Sequence, residues 1–145
     1  MTHLLSLART PPVVLSRSTS VSEALRQMLR CDVGAAAVIE DQRAVGIFTE
    51  RDAVARVLLE RREPATTPVG EVMTTPILSV GPSDDPGDAR RIMVAKGIRH
   101  LPVVGSNAEV LGMLSLRDLM ADEIDVLEHQ VEGLVAFESA DGIGG

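Results

Sequence analysis

The 145-residue sequence contains no Trp, no Tyr, two Phe and one Cys. Nucleic-acid-binding surfaces commonly stack bases on aromatic side chains, so this scarcity argues against that class of protein. Because Cys31 is the one cysteine of the sequence, an internal disulfide is excluded and a thiol-rich zinc site is not expected. The core must therefore be built from Ala, Val, Ile, Leu and Met.

Long apolar runs and excess positive charge are also missing. No stretch approaches the roughly 18 continuous apolar residues of a membrane span. The opening residues, MTHLLSLARTPP, lack the basic and apolar regions of a signal peptide. A formal net charge of −7 disfavours broad attraction to nucleic-acid phosphates. We therefore expect a cytoplasmic protein that binds neither nucleic acid nor membrane.

An internal repeat is the most informative feature of the sequence. Thr10-Pro11 matches Thr75-Pro76, an offset of 65 residues. The second copy is then predicted to contain one extra residue before the pair Val38/Val104, and the offset is 66 for the rest of the repeat. Matched apolar periods and matched helix breakers support the alignment more strongly than the identities do. The chain is thus expected to contain two copies of one small fold.

Each repeat predicts the order β-α-β-β-α. A short extended run (11–15 or 76–80) precedes a helix that begins at a capping residue, Ser20 in the first copy and Asp85 in the second. Two apolar strands follow, joined by the polar turns 40–43 and 105–109. These residues suit a hairpin, since Gly105 and Asn107 tolerate positive φ in the second turn. The fold class is therefore α/β (α+β), with a second helix closing each repeat.

Composition divides the chain into four parts. The first repeat spans 1–62, a linker rich in Thr and Pro spans 63–68, and the second repeat spans 69–124. A helical extension occupies 125–145, with a frayed tail from 138. Apolar residues recur near a helical period in the extension, at Ile124, Leu127, Val131 and Leu134. They favour packing, either on the core or against a partner.

A short motif recurs where the second helix of each repeat begins. Gly46-Ile47-Phe48-Thr49-Glu50-Arg51-Asp52 and Gly112-Met113-Leu114-Ser115-Leu116-Arg117-Asp118 both place a hydroxyl three residues before an aspartate. Such a pair forms a capping box, which requires no ligand. The same geometry can hold a nucleotide, because a helix N-terminus attracts phosphate and a carboxylate can accept bonds from ribose hydroxyls. Both interpretations remain open at this point.

The two motifs and the β-α-β-β-α order together resemble a tandem pair of CBS domains, also called a Bateman module, of the stand-alone bacterial type. The resemblance covers residues 4–122. It implies two repeats related by a pseudo-two-fold axis, with their sheets packed together and helices on the outside. It also implies regulatory binding of an adenosine compound: AMP, ADP, ATP, NAD or S-adenosylmethionine, with AMP, ATP and NAD the most favoured.

The resemblance assigns roles to particular residues. Thr49 and Asp52 would hold phosphate and ribose in one cleft, and Ser115 and Asp118 would do so in the other. Arg99, with His100 beside it, would meet phosphate in the second cleft, where the first repeat offers Gly34 and Ala35. The second cleft is therefore expected to be the better anion site. The remaining candidates are those near the adenine, Pro11, Val13, Pro76 and Leu78, and two arginines that could reach phosphate, Arg51 and Arg117.

A non-catalytic adenine-nucleotide sensor is thus the leading hypothesis. The resemblance also implies a homodimer formed through helices, for which Val54, Val57, Leu58, Leu119 and Met120 are candidate contacts, and a possible regulated protein partner. The alternative is a ligand-independent dimerisation or interaction scaffold whose motifs are only helix caps. No catalytic and no metal-ligating residues are assigned, since no nucleophile with a base and no zinc-type spacing is present.

Overall fold

The computed structural model describes residues 4–144 of the chain, and side chains as far as residue 135. The five helices are α1 Leu4–Leu7, α2 Val21–Arg30, α3 Glu50–Asp52, α4 Pro86–Lys96 and α5 Leu116–Gly144. The five strands are β1 Val14–Ser16, β2 Ala35–Glu40, β3 Arg43–Thr49, β4 His100–Val104 and β5 Val110–Ser115. A π-helical segment, Ala53–Leu58, continues α3, and a 3₁₀ turn covers Val69–Glu71. The backbone from 138, predicted to be frayed, belongs to α5, which continues to Gly144.

The strands form two small sheets, one in each half of the chain. The first has the order β1-β2-β3, with β1 parallel and β3 antiparallel to β2. The second consists of the antiparallel pair β4-β5. Two halves, each with a helix, an antiparallel strand pair and a second helix, confirm the predicted α/β (α+β) fold class. The run 76–80 was expected to match β1, but among the described residues it contributes a single parallel bridge, Val80 to Val103, instead of a strand.

The predicted helix starts are confirmed. The Ser20 hydroxyl accepts a hydrogen bond from the Glu23 N–H at 3.2 Å, which caps α2. The Asp85 carboxylate accepts one from the Asp88 N–H at 3.3 Å, and Pro86 occupies the first position of α4. These side chains satisfy amide groups that have no partner inside the first helical turn.

The second hairpin corrects one sequence prediction. Gly46 pairs with Val38 and Gly112 pairs with Val103, so the extra residue lies in the turn after β4 and not before the Val38/Val104 position. Positive φ occurs at Ala108 (63°), and neither Gly105 nor Asn107 takes it. The physical reason is the hydrogen bond from the Ala108 N–H to the Gly105 carbonyl, which closes a turn whose fourth residue is left-handed.

Each half of the chain donates a segment to the other half. Helix α1 places Leu4 in the core formed with Met93, Leu101 and Leu114, and Arg9 bridges to Met113 on β5. Reciprocally, Val69 and Val72 pack in the first core, and Thr74 bridges to Ile47 on β3. We call residues 4–10 and 69–75 the crossing segments. They tie the two repeats into one unit although the sequence divides them at a linker.

Small side chains bring the two sheets together. Ala35, Ala37 and Ile47 of the first sheet pack against Met113 of the second, and Val110 covers the edge of this cluster. Alanine at two of these positions lets β2 and β5 approach closely. Both motifs therefore begin beside a shared interface, at Ile47 and Met113. Within the described part of the chain, no helix has the length and apolar character needed to cross a membrane.

Candidate functional site

The repeated motif lies where β3 leads into α3 and where β5 leads into α5. Its glycines are required because the crossing segments pass directly over them. A Cβ atom on Gly46 would lie 2.6 Å from the Met73 Sδ and 3.0 Å from the Thr74 carbonyl oxygen. One on Gly112 would lie 3.0 Å from the Ala8 Cβ and 3.2 Å from the Arg9 carbonyl oxygen. Each motif is thus packed against the donated segment of the other repeat.

In the first repeat, the Asp52 carboxylate is fully engaged by the protein. Thr49 Oγ1 accepts a hydrogen bond from the Asp52 N–H at 3.2 Å, and Asp52 Oδ2 accepts one from the Thr49 N–H at 3.0 Å. Asp52 Oδ1 accepts a third from the Thr74 hydroxyl at 2.9 Å, with the Arg56 Nε at 3.9 Å. Asp52 is only 6% exposed. Its two oxygens hold together a helix start and a crossing segment.

In the second repeat, the corresponding carboxylate is free. Ser115 Oγ accepts a hydrogen bond from the Asp118 N–H at 3.0 Å, so the hydroxyl caps α5. Asp118 itself is exposed, and no group among the described residues donates a hydrogen bond to its carboxylate. Two acceptor oxygens therefore point from the first turn of α5 without an internal partner.

The difference between the two aspartates follows from their neighbours. The residue that matches Thr74 in the other crossing segment is Arg9, which offers no short hydroxyl to a carboxylate. The residue that matches Arg56 is Asp122, which reverses the charge one turn along the helix. Arg56 further donates to the Met73 carbonyl at 2.6 Å, fixing the crossing segment over Asp52. The sequence analysis missed Thr74 and Arg56, since no local motif marks a contact made across the repeats.

His100 brings the second site into contact with the first repeat. A Cβ on Gly34 would lie 3.3 Å from the His100 Cε1 and 3.6 Å from the Glu50 Cδ, so the imidazole and this carboxylate flank the same glycine. Burial lowers the pKa of His100, the carboxylates of Glu50 and Asp118 oppose this effect, and Arg99 lowers the pKa further. Arg99 is exposed. The structure thus places Arg99, His100 and Asp118 close to one another, with Glu50 beside them.

The other predicted site residues lie around these two helix starts. Pro11 is exposed and directly follows Thr10, whose Cγ2 would be 3.2 Å from a Cβ on Gly112 at the start of the second motif. Val13 is half-buried against the first core. Pro76 and Leu78 are exposed and follow Thr74, so they border the Asp52 side. Arg51 and Arg117 are both exposed on the first helical turns.

Two surface cavities lie away from both motifs. One, of about 480 Å³, is lined by Arg17, Ser20 and Thr66, among others. The other, of about 410 Å³, is an apolar groove between α2 and the π-helical segment. Among the side chains described, which extend to residue 135, no group of three or more His, Cys, Asp or Glu is placed to hold a metal ion.

Comparison with known proteins identifies the repeat. The sequence model of the CBS domain matches twice, over residues 5–59 and 69–123. An uncharacterized 17.7 kDa protein of Acidianus ambivalens is 34% identical over 144 residues, which cover 99% of this chain and 85% of that protein. The CBS domain-containing protein YhcV of Bacillus subtilis is 33% identical over 115 residues, covering 79% of this chain and 81% of the relative. A CBS domain protein from Pyrobaculum aerophilum, solved in complex with AMP, is 29% identical with a TM-score of 0.77, covering 88% of this chain and 97% of that one.

Proposed function

This chain belongs to the CBS-domain family, and we propose that it acts as a non-catalytic sensor that binds one adenosine nucleotide at the Ser115–Asp118 side of its inter-repeat surface. The free Asp118 carboxylate carries the proposal, because the glycines, Thr49, Ser115 and Asp52 of the repeated motif all have internal structural roles. An ionised carboxylate is an acceptor only, and a ribose diol supplies the two donors that it lacks.

The surroundings of Asp118 suit the rest of a nucleotide. The N-terminus of α5 presents amide groups and the positive end of the helix dipole to a phosphate. Arg99 and His100 add positive or proton-donating groups beside it, which a chain of net charge −7 needs in order to bind an anion. Pro11 and Val13 would wall the base on this side. The AMP-bound relative from Pyrobaculum aerophilum supports AMP as the first ligand to test.

The proposal assigns the Asp52 side a structural role. If a ribose bound to Asp52, this carboxylate would lose its hydrogen bonds from the Thr49 N–H and the Thr74 hydroxyl. A hydrogen bond to a charged group contributes about 1.5–3 kcal/mol, so ligand contacts there would largely replace existing ones. We therefore expect one nucleotide per chain, with Pro76, Leu78 and Arg51 not engaged. Control of a protein partner would follow from ligand-dependent changes at the Asp118 side.

Calorimetric titration with AMP, ATP and NAD tests this function. We expect a stoichiometry of one, and Asp118→Ala should weaken binding by at least about tenfold through loss of the ribose bonds. The matched control is Asp52→Ala, which should lower the unfolding free energy by about 1–2 kcal/mol through loss of a cap yet retain binding. Asp118→Ala should leave the ligand-free stability almost unchanged.

Two results would contradict the proposal. Binding lost in Asp52→Ala but kept in Asp118→Ala would transfer the site to the first repeat. If the wild-type protein bound none of the three nucleotides, the ligand-independent scaffold would be favoured, in which both motifs only cap helices. Because the chain has no Trp or Tyr, a co-purified purine would also dominate its ultraviolet spectrum. The absorbance of that purine gives an independent count of the nucleotides bound per chain.

A further inference from the structure

The second half of α5 extends away from the rest of the molecule. Leu119 is buried in the second core, and Arg90 and Glu123 form an ion pair at 3.8 Å. From Ile124 to Val135, by contrast, every residue is exposed. We call residues 124–135 the arm. Most helical stability in proteins comes from packing of an apolar face, so an exposed apolar segment of this kind indicates a surface that a partner covers.

The arm carries an apolar face with an acidic edge. Ile124, Leu127, Val131 and Leu134 follow one another at spacings of three, four and three residues, and Met120 extends the series by one further turn. This is the spacing of a helix–helix seam. Glu128, Glu132 and Asp125 lie along one side of it. The surface that covers this face should therefore be apolar with basic groups at its margin.

The first repeat offers such a surface. The groove of about 410 Å³ is formed by Val21, Leu25, Val57 and the exposed side chains of Val54 and Leu58, with Arg61, Arg62 and Glu63 at its margin. Glu63 accepts a hydrogen bond from the Ala65 N–H. Arg62 pairs with Glu71. The Arg61 side chain has no hydrogen-bond or ion-pair partner within the described residues. One unneutralised guanidinium thus stands beside exposed apolar side chains.

The two halves of the chain carry net charges of opposite sign. Residues 1–62 contain nine Arg and seven Asp or Glu, a net +2. Residues 63–145 contain five Arg or Lys and fourteen Asp or Glu, a net −9, and the two values sum to the −7 of the chain. Contact between two arms would place acidic edge against acidic edge. Contact between an arm and a first repeat joins opposite charges.

We propose that the arm of one copy docks in the Arg61-bordered groove of a second copy. Because the reverse contact forms at the same time, the result is a closed dimer with two arm–groove contacts. This assignment does not rest on nucleotide binding. Of the dimer contacts expected from the sequence, Val54, Leu58 and Met120 are exposed and available, whereas Val57 and Leu119 are buried within their own chain.

Sedimentation analysis of the full chain and three variants tests the contact. Leu58→Glu blocks the groove and Leu127→Glu blocks the arm, at side chains that are 69% and 49% exposed. We expect a dimer of twice 15.4 kDa for the wild type, and a dissociation constant at least about 100-fold higher for either variant. The control Val126→Glu, which lies outside the apolar series 124, 127, 131 and 134 of the same helix, should remain dimeric. Circular dichroism shows whether each variant is folded.

Mixing the two blocked variants gives the decisive result. The intact arm of Leu58→Glu can dock in the intact groove of Leu127→Glu, so the mixture should form a heterodimer with one of the two contacts. If Leu58→Glu alone stays dimeric while Leu127→Glu is monomeric, the arms pair with each other and the proposal is wrong. It is equally overturned if the wild type is monomeric, or if both variants remain dimers.

Discussion

The two aspartates of the repeated motif show how far one residue type can diverge within one fold. Asp52 is buried under a crossing segment and bonded through both oxygens, whereas Asp118 is exposed and unbonded within the described residues. The sequence motif is the same in both, and it could not predict this difference. The deciding partners, Thr74 and Arg9, are distant in sequence and belong to the opposite repeat.

Gly46→Ala should destabilise the protein by about 1–3 kcal/mol, the usual cost of overpacking. The added methyl would meet the Met73 Sδ at 2.6 Å and the Thr74 carbonyl, so the crossing segment must shift. Urea denaturation followed by far-ultraviolet circular dichroism measures the effect. Gly133→Ala is the control, because nothing lies within 4 Å of its Cβ position and alanine favours a helix. Equal stability of the two variants would contradict the close approach.

His100 should make the protein less stable in mild acid. Burial lowers its pKa below 6.5, and the positive charge of Arg99 acts in the same direction. The carboxylates of Glu50 and Asp118 oppose this shift but do not reverse it. The unfolded chain then binds the proton more readily than the folded one. The contribution of His100 to stability is complete above pH 6.5 and is lost as the pH falls from there toward the folded pKa.

Unfolding free energies measured across this range in wild type and His100→Gln check the sign. The wild-type value should fall more steeply with decreasing pH than that of the variant. His129→Gln, at an exposed position of α5, is the matched control. A wild-type curve that is flatter than the His100→Gln curve would mean that the carboxylates outweigh burial.

At the scale of elements, the sequence was most informative where the signal is local. The capped starts of α2 and α4 and the paired apolar strands were predicted from spacing alone, because caps and alternation act within a few residues. The run 76–80 resembles β1 in composition but makes one bridge, and the turn after β4 has its left-handed residue at Ala108. Both outcomes depend on the chain that packs alongside, which spacing does not specify.

The reciprocal crossing predicts that Leu4 stabilises the second repeat although it lies in the first by sequence. It is 1% exposed and packs with Met93 and Leu101. Leu4→Ala should therefore lower the unfolding free energy by about 2–4 kcal/mol, as for buried leucines. Leu29→Ala, 83% exposed on α2, should change it by less than about 0.5 kcal/mol.

Hydrogen exchange shows where the Leu4→Ala loss occurs. Amides of β4 and β5 should exchange faster, because the second core loses its covering helix, while β2 and β3 change less. Faster exchange confined to β2 and β3 would instead assign residues 4–10 to the first repeat in space as well as in sequence.

At the scale of the whole molecule, two electrostatic effects act in opposite directions on dimer formation. Each copy carries a net charge of −7, so overall repulsion alone predicts that added salt strengthens a dimer. The arm–groove contact predicts the reverse, because Glu128 and Glu132 approach Arg61. Charges in contact lie within the Debye length of about 10 Å at 0.1 M salt, whereas the centres of two folded domains lie beyond it.

The local attraction should therefore dominate, and the dissociation constant should rise severalfold between about 0.1 M and 0.5 M NaCl, in keeping with exposed ion pairs of 0.2–1 kcal/mol. Sedimentation at both salt concentrations measures it. Arg61→Gln removes the guanidinium that lacks an internal partner and should flatten the dependence, while Arg43→Gln, an exposed arginine on β3, should leave it unchanged. A dimer that strengthens with salt in all three proteins would mean that net repulsion governs the association and that the acidic edge of the arm faces no basic partner.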